Sequence, residues 1–343
     1  MDVRAVSRLV LLVLFASSTF AHATPMLQAT VGVVGGKGGA GGACGSLGTA
    51  AEAEFFAGSV FLVDRAGIAS CGYSGSITTV TGTVGPVTNA TSLAPVSVDF
   101  GNPAIQFDGT AKASAAPGVL RAEAHAHLVG GTVNGIALFN SMAIATFSDD
   151  VRAVSGVIPG GSDGFFRYRF RVDGSLSAPG ASAAFEPGET FAALSIQQGT
   201  SGAFGFFSAT VRRGSNNGSI NNGPLPAGWV GGMGSLSGGS EFVTFDLPMV
   251  WGGSSVLKVG LMASAYGTAD TMFGSTARLV GVEALDAARN PVSDFVLTSA
   301  SGTNYLNLDG TSTAVPASQS VLMTLIGLIA VCAIRMRRRL SAN

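Results

Sequence analysis

The sequence predicts an all-β protein, a large jelly-roll-like β-sandwich with one apolar helix at each end. Three observations carry this. Stretches of two-residue periodicity recur along the chain, each bounded by Gly, Pro, Asn or Asp, as half-buried strands between turns require. Between the two ends no segment has a 3.6-residue apolar stripe of helical length. The chain has 343 residues with 49 glycines, and 47% of it is hydrophobic but only 11% charged. Average globular chains are roughly 25% charged; this much apolar content excludes charge-driven disorder.

The first element is a leader. Residues 1–23, MDVRAVSRLVLLVLFASSTFAHA, open with Arg4 and Arg8, continue through an apolar run and end in Ala21-His22-Ala23. A basic start, an apolar middle and a small-x-small end make a secretory signal peptide. The mature chain is expected to begin at Thr24 and to function outside the cytoplasm.

Next comes VVGGKGGAGGACGS, residues 33–46. Lys37, Gly38, Gly39, Ala40 and Gly41 match the opening of a P-loop variant. Gly42 and Ala43 then stand where a lysine would reach the phosphates and a hydroxyl would hold Mg²⁺. A glycine-rich loop with no nucleotide affinity is expected.

Cys44 and Cys71 are the only cysteines in the exported part, because Cys332 lies in the terminal apolar run. An oxidising compartment favours a disulfide between them. It would close a loop of about 28 residues and contribute about 3.6 kcal/mol on the chain-entropy account. The alternative is two buried thiols that never meet.

Strands follow. FFRYRFRV (165–172) alternates Phe166, Tyr168, Phe170 and Val172 against Arg167, Arg169 and Arg171. VLRAEAHAHLV (119–129), FVTFDLP (242–248), SVLKVGLMASA (255–265) and TARLVGVEAL (276–285) have the same pattern. The Gly-, Asn- and Pro-rich stretch 212–240 reads as a long surface loop. Residues 24–312 therefore form one β-sandwich ectodomain, and 313–343 a separate tail.

The tail ends AVPASQSVLMTLIGLIAVCAIRMRRRLSAN. Residues 321–334 are an uncharged apolar run, which as a helix is roughly 21 Å long against a bilayer core of about 30 Å. Arg335, Arg337, Arg338 and Arg339 follow, as in segments held on the cytoplasmic side. Val315-Pro316, the short apolar helix and the arginine cluster resemble the PEP-CTERM sorting tail of Gram-negative exosortase substrates. Two further segments resemble the bodies that precede such tails. One is 275–308, with T-A-x-L, D-x-x-x-N-P-V and S-G-T-x-Y elements; the other is 145–185. The resemblance implies export, transient anchoring in the inner membrane, cleavage by an exosortase-type transpeptidase and release to the surface or matrix. Here the family's Val-Pro-Glu-Pro is Val315-Pro316-Ala317-Ser318, which leaves a variant sorting enzyme or a plain C-terminal anchor open.

Leader and tail carry +1 and +4 of a net charge of −1, so the mature body carries about −6. A body of that sign has no electrostatic reason to bind nucleic acid.

Several clusters bear on chemistry. Glu123, His125 and His127 at i, i+2 and i+4 share one strand face, and two imidazoles with a carboxylate would suit Zn or Fe; a polar solvent face is the simpler reading. Arg167, Arg169 and Arg171 form a basic stripe whose guanidinium forks match carboxylates or sulfates of an exopolysaccharide. A charged outer strand face needs no ligand. Trp229, in the expected loop, would stack on sugar rings if exposed, whereas Trp251 reads as core. Asp149-Asp150 reads as turn chemistry. With His125 and His127 the only histidines outside the leader, a Ser-His-Asp set has nothing to support it, and neither an enzyme nor a cofactor is expected.

Overall fold

The computed structural model describes residues 24–37, 73–98, 105–129, 137–178, 188–199, 204–212, 215–220, 223–224, 229–232, 235–238, 242–306 and 308. Eighteen strands lie in them. In chain order they are β1 (Met26–Lys37), β2 (Tyr73–Gly82), β3 (Val87–Val98), β4 (Ile105–Ala116), β5 (Val119–Val129) and β6 (Ala137–Ser155). Then come β7 (Asp163–Ser177), β8 (Gly188–Gln198), β9 (Phe204–Arg212), β10 (Ser215–Ile220), β11 (Gly223–Pro224) and β12 (Val230–Gly232). The last are β13 (Ser235–Gly238), β14 (Phe242–Val250), β15 (Ser254–Gly267), β16 (Ala269–Asp286), β17 (Pro291–Val292) and β18 (Phe295–Ser299). No helix is present among the described residues. The described residues are all-β, as the alternating patterns predict. The leader, the tail, Cys44 and Cys71, and the end of the glycine-rich stretch lie outside the described residues.

The strands form two antiparallel sheets. The first runs β11-β10-β9-β8-β15-β6-β1-β2, with β18 added beside β6. The second runs β12-β13-β7-β16-β5-β4-β3, with β14 on β7 and β17 on β16. One apolar core joins them, in a sandwich-like arrangement. Strand β5 meets β6 and β15 across that core. Its inward positions there are Ala122, Ala124 and Ala126, and the facing strands supply Ala143, Ala145, Ala263 and Ala265. Bulk enters elsewhere: Phe166, Tyr168 and Phe170 of β7 are all buried, and Phe170 meets Phe245 edge-on at 6.1 Å.

The stretch expected to be one long loop, 212–240, instead contributes β10 to β13, which extend both sheets. Short polar strands of Gly, Asn and Ser lack the apolar alternation by which strands are recognised. Backbone pairing to β9 and β7 supplies their order instead.

Two motifs near the end of the body close the structure. Asp286 accepts from the Asn290 backbone N–H at 2.8 Å and from Asn290 Nδ2 at 3.0 Å, which locks the turn between β16 and β17. Those bonds, the side-chain one foremost, hold the Asp286 carboxyl below its ordinary pKa. Further on, Ser299 Oγ donates to the Thr303 carbonyl at 2.9 Å, and Gly302 takes φ 73° to make that turn. Asp149 then gathers the segment: it accepts from the Ser301 N–H at 3.0 Å, from Ser301 Oγ, and from the Tyr305 hydroxyl at 2.7 Å. Asp149 and Asp150 therefore do not adjoin a turn. Both are buried within β6, between Ser148, which faces Met26 at the start of β1, and Val151, which faces Ser299 at the end of β18.

Candidate functional site

The outer face of the second sheet carries most of the titratable side chains described. Its central feature follows from register. Arg167 on β7 stands opposite Asp246 on β14 and opposite Glu283 on β16. Alternation fixes this, because Phe166 and Tyr168 on either side must point into the core. Arg167 Nε and Nη2 donate to the two oxygens of Asp246 at 2.7 and 2.8 Å, a bidentate fork. Arg289 Nη1 donates to the same carboxylate at 3.2 Å. Glu283 lies 4.0 Å from Arg167 and 3.9 Å from Arg169.

The electrostatics follow from these contacts. The fork from Arg167 is the main cause that holds the Asp246 carboxyl below its usual range, and partial burial opposes it. Reciprocally, the bond from Asp246 raises the Arg167 guanidinium pKa.

Together Arg167, Arg169, Thr244, Asp246, Glu283 and Arg289 line an open depression of about 550 Å³. Three guanidinium groups meet two carboxylates there. Arg289 has φ 65°, the one non-glycine residue in the left-handed region among those described. The Asp286–Asn290 turn holds it there, with its guanidinium 4.5 Å from the centre of the Phe165 ring.

The arginine stripe is thus on the outer face as predicted, but it is not a bare row of positive charge. Arg171 also has a partner, Asp173, at 2.8 Å. Asp246, Glu283 and Arg289 lie 75 or more positions along the chain from Arg167. Nothing local marks them; only strand pairing brings them together.

Glu123, His125 and His127 share the outer face, and Ala122, Ala124 and Ala126 are buried behind them, as the alternation requires. The three do not converge. His125 Nδ1 lies 2.9 Å from Asp270 Oδ1 on β16, and His127 Nδ1 lies 3.3 Å from Asp108 Oδ2 on β4. Each imidazole faces a different neighbouring strand, and Glu123 stands opposite Lys112. Among the described residues no three His, Cys, Asp or Glu side chains are placed to hold a metal ion.

Trp229 is not an open loop aromatic. It is half-buried, with Phe207 at 5.2 Å and Phe273 at 6.2 Å between ring centres, the latter stacked. Its faces are occupied by the protein, which removes the basis for a sugar-stacking role. Trp251 is buried, as expected.

Compared with protein-family models, curated proteins and solved structures, the chain matches none.

Proposed function

We propose that the chain is an exported, non-catalytic protein of the cell surface or extracellular matrix, sorted by a cleavable C-terminal tail in a Gram-negative bacterium. In this reading a signal helix directs export, and a short transmembrane helix holds the protein at the inner membrane. An exosortase-type transpeptidase then releases the body. The body is a jelly-roll-like sandwich, a description supported by the repeated passage of the chain between the two sheets.

One observation carries the proposal. The elements that resemble the family's pre-tail segment are fasteners of the body's end: Asp286 with Asn290 closes one turn, and Ser301 with Tyr305 grips Asp149. The body is fastened by Tyr305 and Leu308, both buried. A cut near Pro316 would therefore leave every one of these contacts intact. Replacing Arg335, Arg337, Arg338 and Arg339 together by neutral residues tests the sorting step. The expected result is loss of retention and of cell-linked processing; unchanged release of a shortened body contradicts it.

The depression around Arg167 favours a second reading, a module that binds the cell's own acidic exopolysaccharide. Its three guanidinium groups exceed its carboxylates by one, and Arg forks suit carboxylates and sulfates. Affinity electrophoresis in polygalacturonate, with neutral dextran as control, tests it. Retardation in polygalacturonate alone, lost in Arg289→Ala, supports this reading; equal mobility in both gels removes it.

A further inference from the structure

On the outer face of the second sheet two arginines stand directly opposite one another. Arg171 of β7 is in register with Arg278 of β16. Both point outward, because their chain neighbours Phe170, Val172, Ala277 and Leu279 are buried. On the other side Arg278 stands opposite Val119 of β5. Arg121 lies two residues further along β5 on the same face, with Leu120 and Ala122 buried beside it. Arg171 has Asp173 at 2.8 Å. Among the described residues, the side chains of Arg278 and Arg121 have no ion-pair or hydrogen-bond partner. Glu123, the next outward residue after Arg121, stands opposite Lys112. Like charges directly opposite on a sheet destabilise it. The mature body carries about −6, yet no carboxylate pairs with either of these two guanidinium groups.

We infer that Arg171, Arg278 and Arg121 are a second anion subsite, which continues the depression around Arg167 into a track for an extended acidic polysaccharide. This rests on the reading of that depression as a binder of acidic exopolysaccharide. It makes the ligand a chain with repeated carboxylate or sulfate groups, not a single acidic sugar. From Arg167 to Arg171 the track runs about 13 Å along β7, and from β7 to β5 it crosses about 10 Å. Gly281 lies between the two subsites, opposite Arg169. A Cβ there would meet nothing within 4 Å, so the floor that joins them is open. Guanidinium forks set at such intervals match anions repeated along a polymer. Duplex DNA carries a charge about every 1.7 Å, which is too dense for arginines interleaved with Asp246, Glu283 and Asp173. An acidic polysaccharide, with one charge per sugar unit, fits that spacing.

Affinity electrophoresis in polygalacturonate tests this, with each mobility taken relative to a dextran gel. Arg278→Gln and Arg121→Gln should each need about three-fold more polymer to reach the wild-type retardation. Lys258→Gln removes the same charge from the outer face of the first sheet, where Lys258 is exposed between buried Leu257 and Val259. It should leave retardation unchanged. Arg278→Gln should also keep or raise the denaturant midpoint, since it removes a like-charge pair. A lowered midpoint would make Arg278 a structural residue and overturn the inference. Wild-type retardation of both arginine variants, with Arg289→Ala weakened, overturns the track and leaves the depression as the binding site. An equal loss in Lys258→Gln reduces the effect to net charge and overturns the track too. So does equal retardation of the wild type in a gel of duplex DNA. Equal wild-type mobility in polygalacturonate and dextran removes the reading of the depression itself, and the track with it.

Discussion

Tyr305 donates its hydroxyl to Asp149 at 2.7 Å, which binds the last turn of the body to the middle of β6 across 156 positions of sequence. Around that bond Asp149 also accepts from the backbone N–H of Asp150 at 2.9 Å and of Ser301 at 3.0 Å. The carboxyl group is buried and receives donors on both oxygens. Phe147 stacks against the Tyr305 ring at 6.5 Å.

Removing one donor from a buried acceptor costs about 1–3 kcal/mol. Tyr305→Phe should therefore lower unfolding stability by roughly 1–2 kcal/mol. Asp149→Ala strands several donors at once and should cost more. Denaturant unfolding measures both, and hydrogen exchange should show faster opening at 299–305 than elsewhere. Equal stability of Tyr305→Phe and wild type would remove the clasp from the account.

Alkaline pH should act through the same tyrosine and through Tyr168. Burial pushes both phenols well above their ordinary pKa, and at Tyr305 the nearby Asp149 adds to it. Tyr168 also donates to Gln198 at 2.9 Å. A raised native pKa contributes stability that is whole below about pH 10, the unfolded value. That stability is lost as pH rises from there toward the native value, because the unfolded chain binds fewer protons. Phenolate absorbance should show these two groups titrating only with unfolding. Reversible ionisation of all tyrosines in the folded protein near pH 10 would contradict this.

At acid pH the Arg167–Asp246 fork sets the sign. The Asp246 carboxyl is held below its usual range, so its contribution is present above about pH 4 and fades as pH falls below that. Asp246→Asn should cost about 1 kcal/mol at neutral pH, given a partly buried, bidentate pair. It should also flatten the fall of stability below about pH 4. Unfolding curves at a series of pH values check both effects, and an undiminished acid slope in the variant would refute the assignment.

Trp229 should behave as a packing residue. Trp229→Ala is expected to destabilise by about 2–3 kcal/mol, somewhat less than a fully buried aromatic. Gly238→Ala should act in the same direction, because a Cβ there would run into the Trp229 ring. Calorimetry of both variants checks this. A Trp229→Ala protein of full stability would reopen the ring to a ligand role.

The fold class was legible because alternation is local: Phe166, Tyr168 and Phe170 announce β7 without reference to any other strand. The face of His125 and His127 was legible for the same reason. Their partners Asp270 and Asp108 were not, since pairing across β16 and β4 depends on register between distant segments. Asp149 was misread because two adjacent acids resemble turn chemistry; Ser301 and Tyr305 bring donors to buried Asp149, and Ser254 brings one to Asp150. The S-G-T-x-Y element was the available signal. Its hydroxyls ask for an acceptor, and a buried aspartate supplies one. Strands β10 to β13 had no apolar signature to read.

Cys44 and Cys71 carry a separate expectation, a single disulfide between them. Alkylation of the denatured, unreduced mature protein should label neither cysteine. Labelling of both would leave them as free thiols.

The central claim is that this body is delivered by an export leader and a detachable tail. Intact-mass analysis of protein recovered from medium and from cell envelope tests both processing sites at once. The account predicts a released form that begins at Thr24 and ends near Pro316, with its two cysteines joined. Protein that is recovered only in the membrane fraction, and that runs through Arg339 to Asn343, would contradict it.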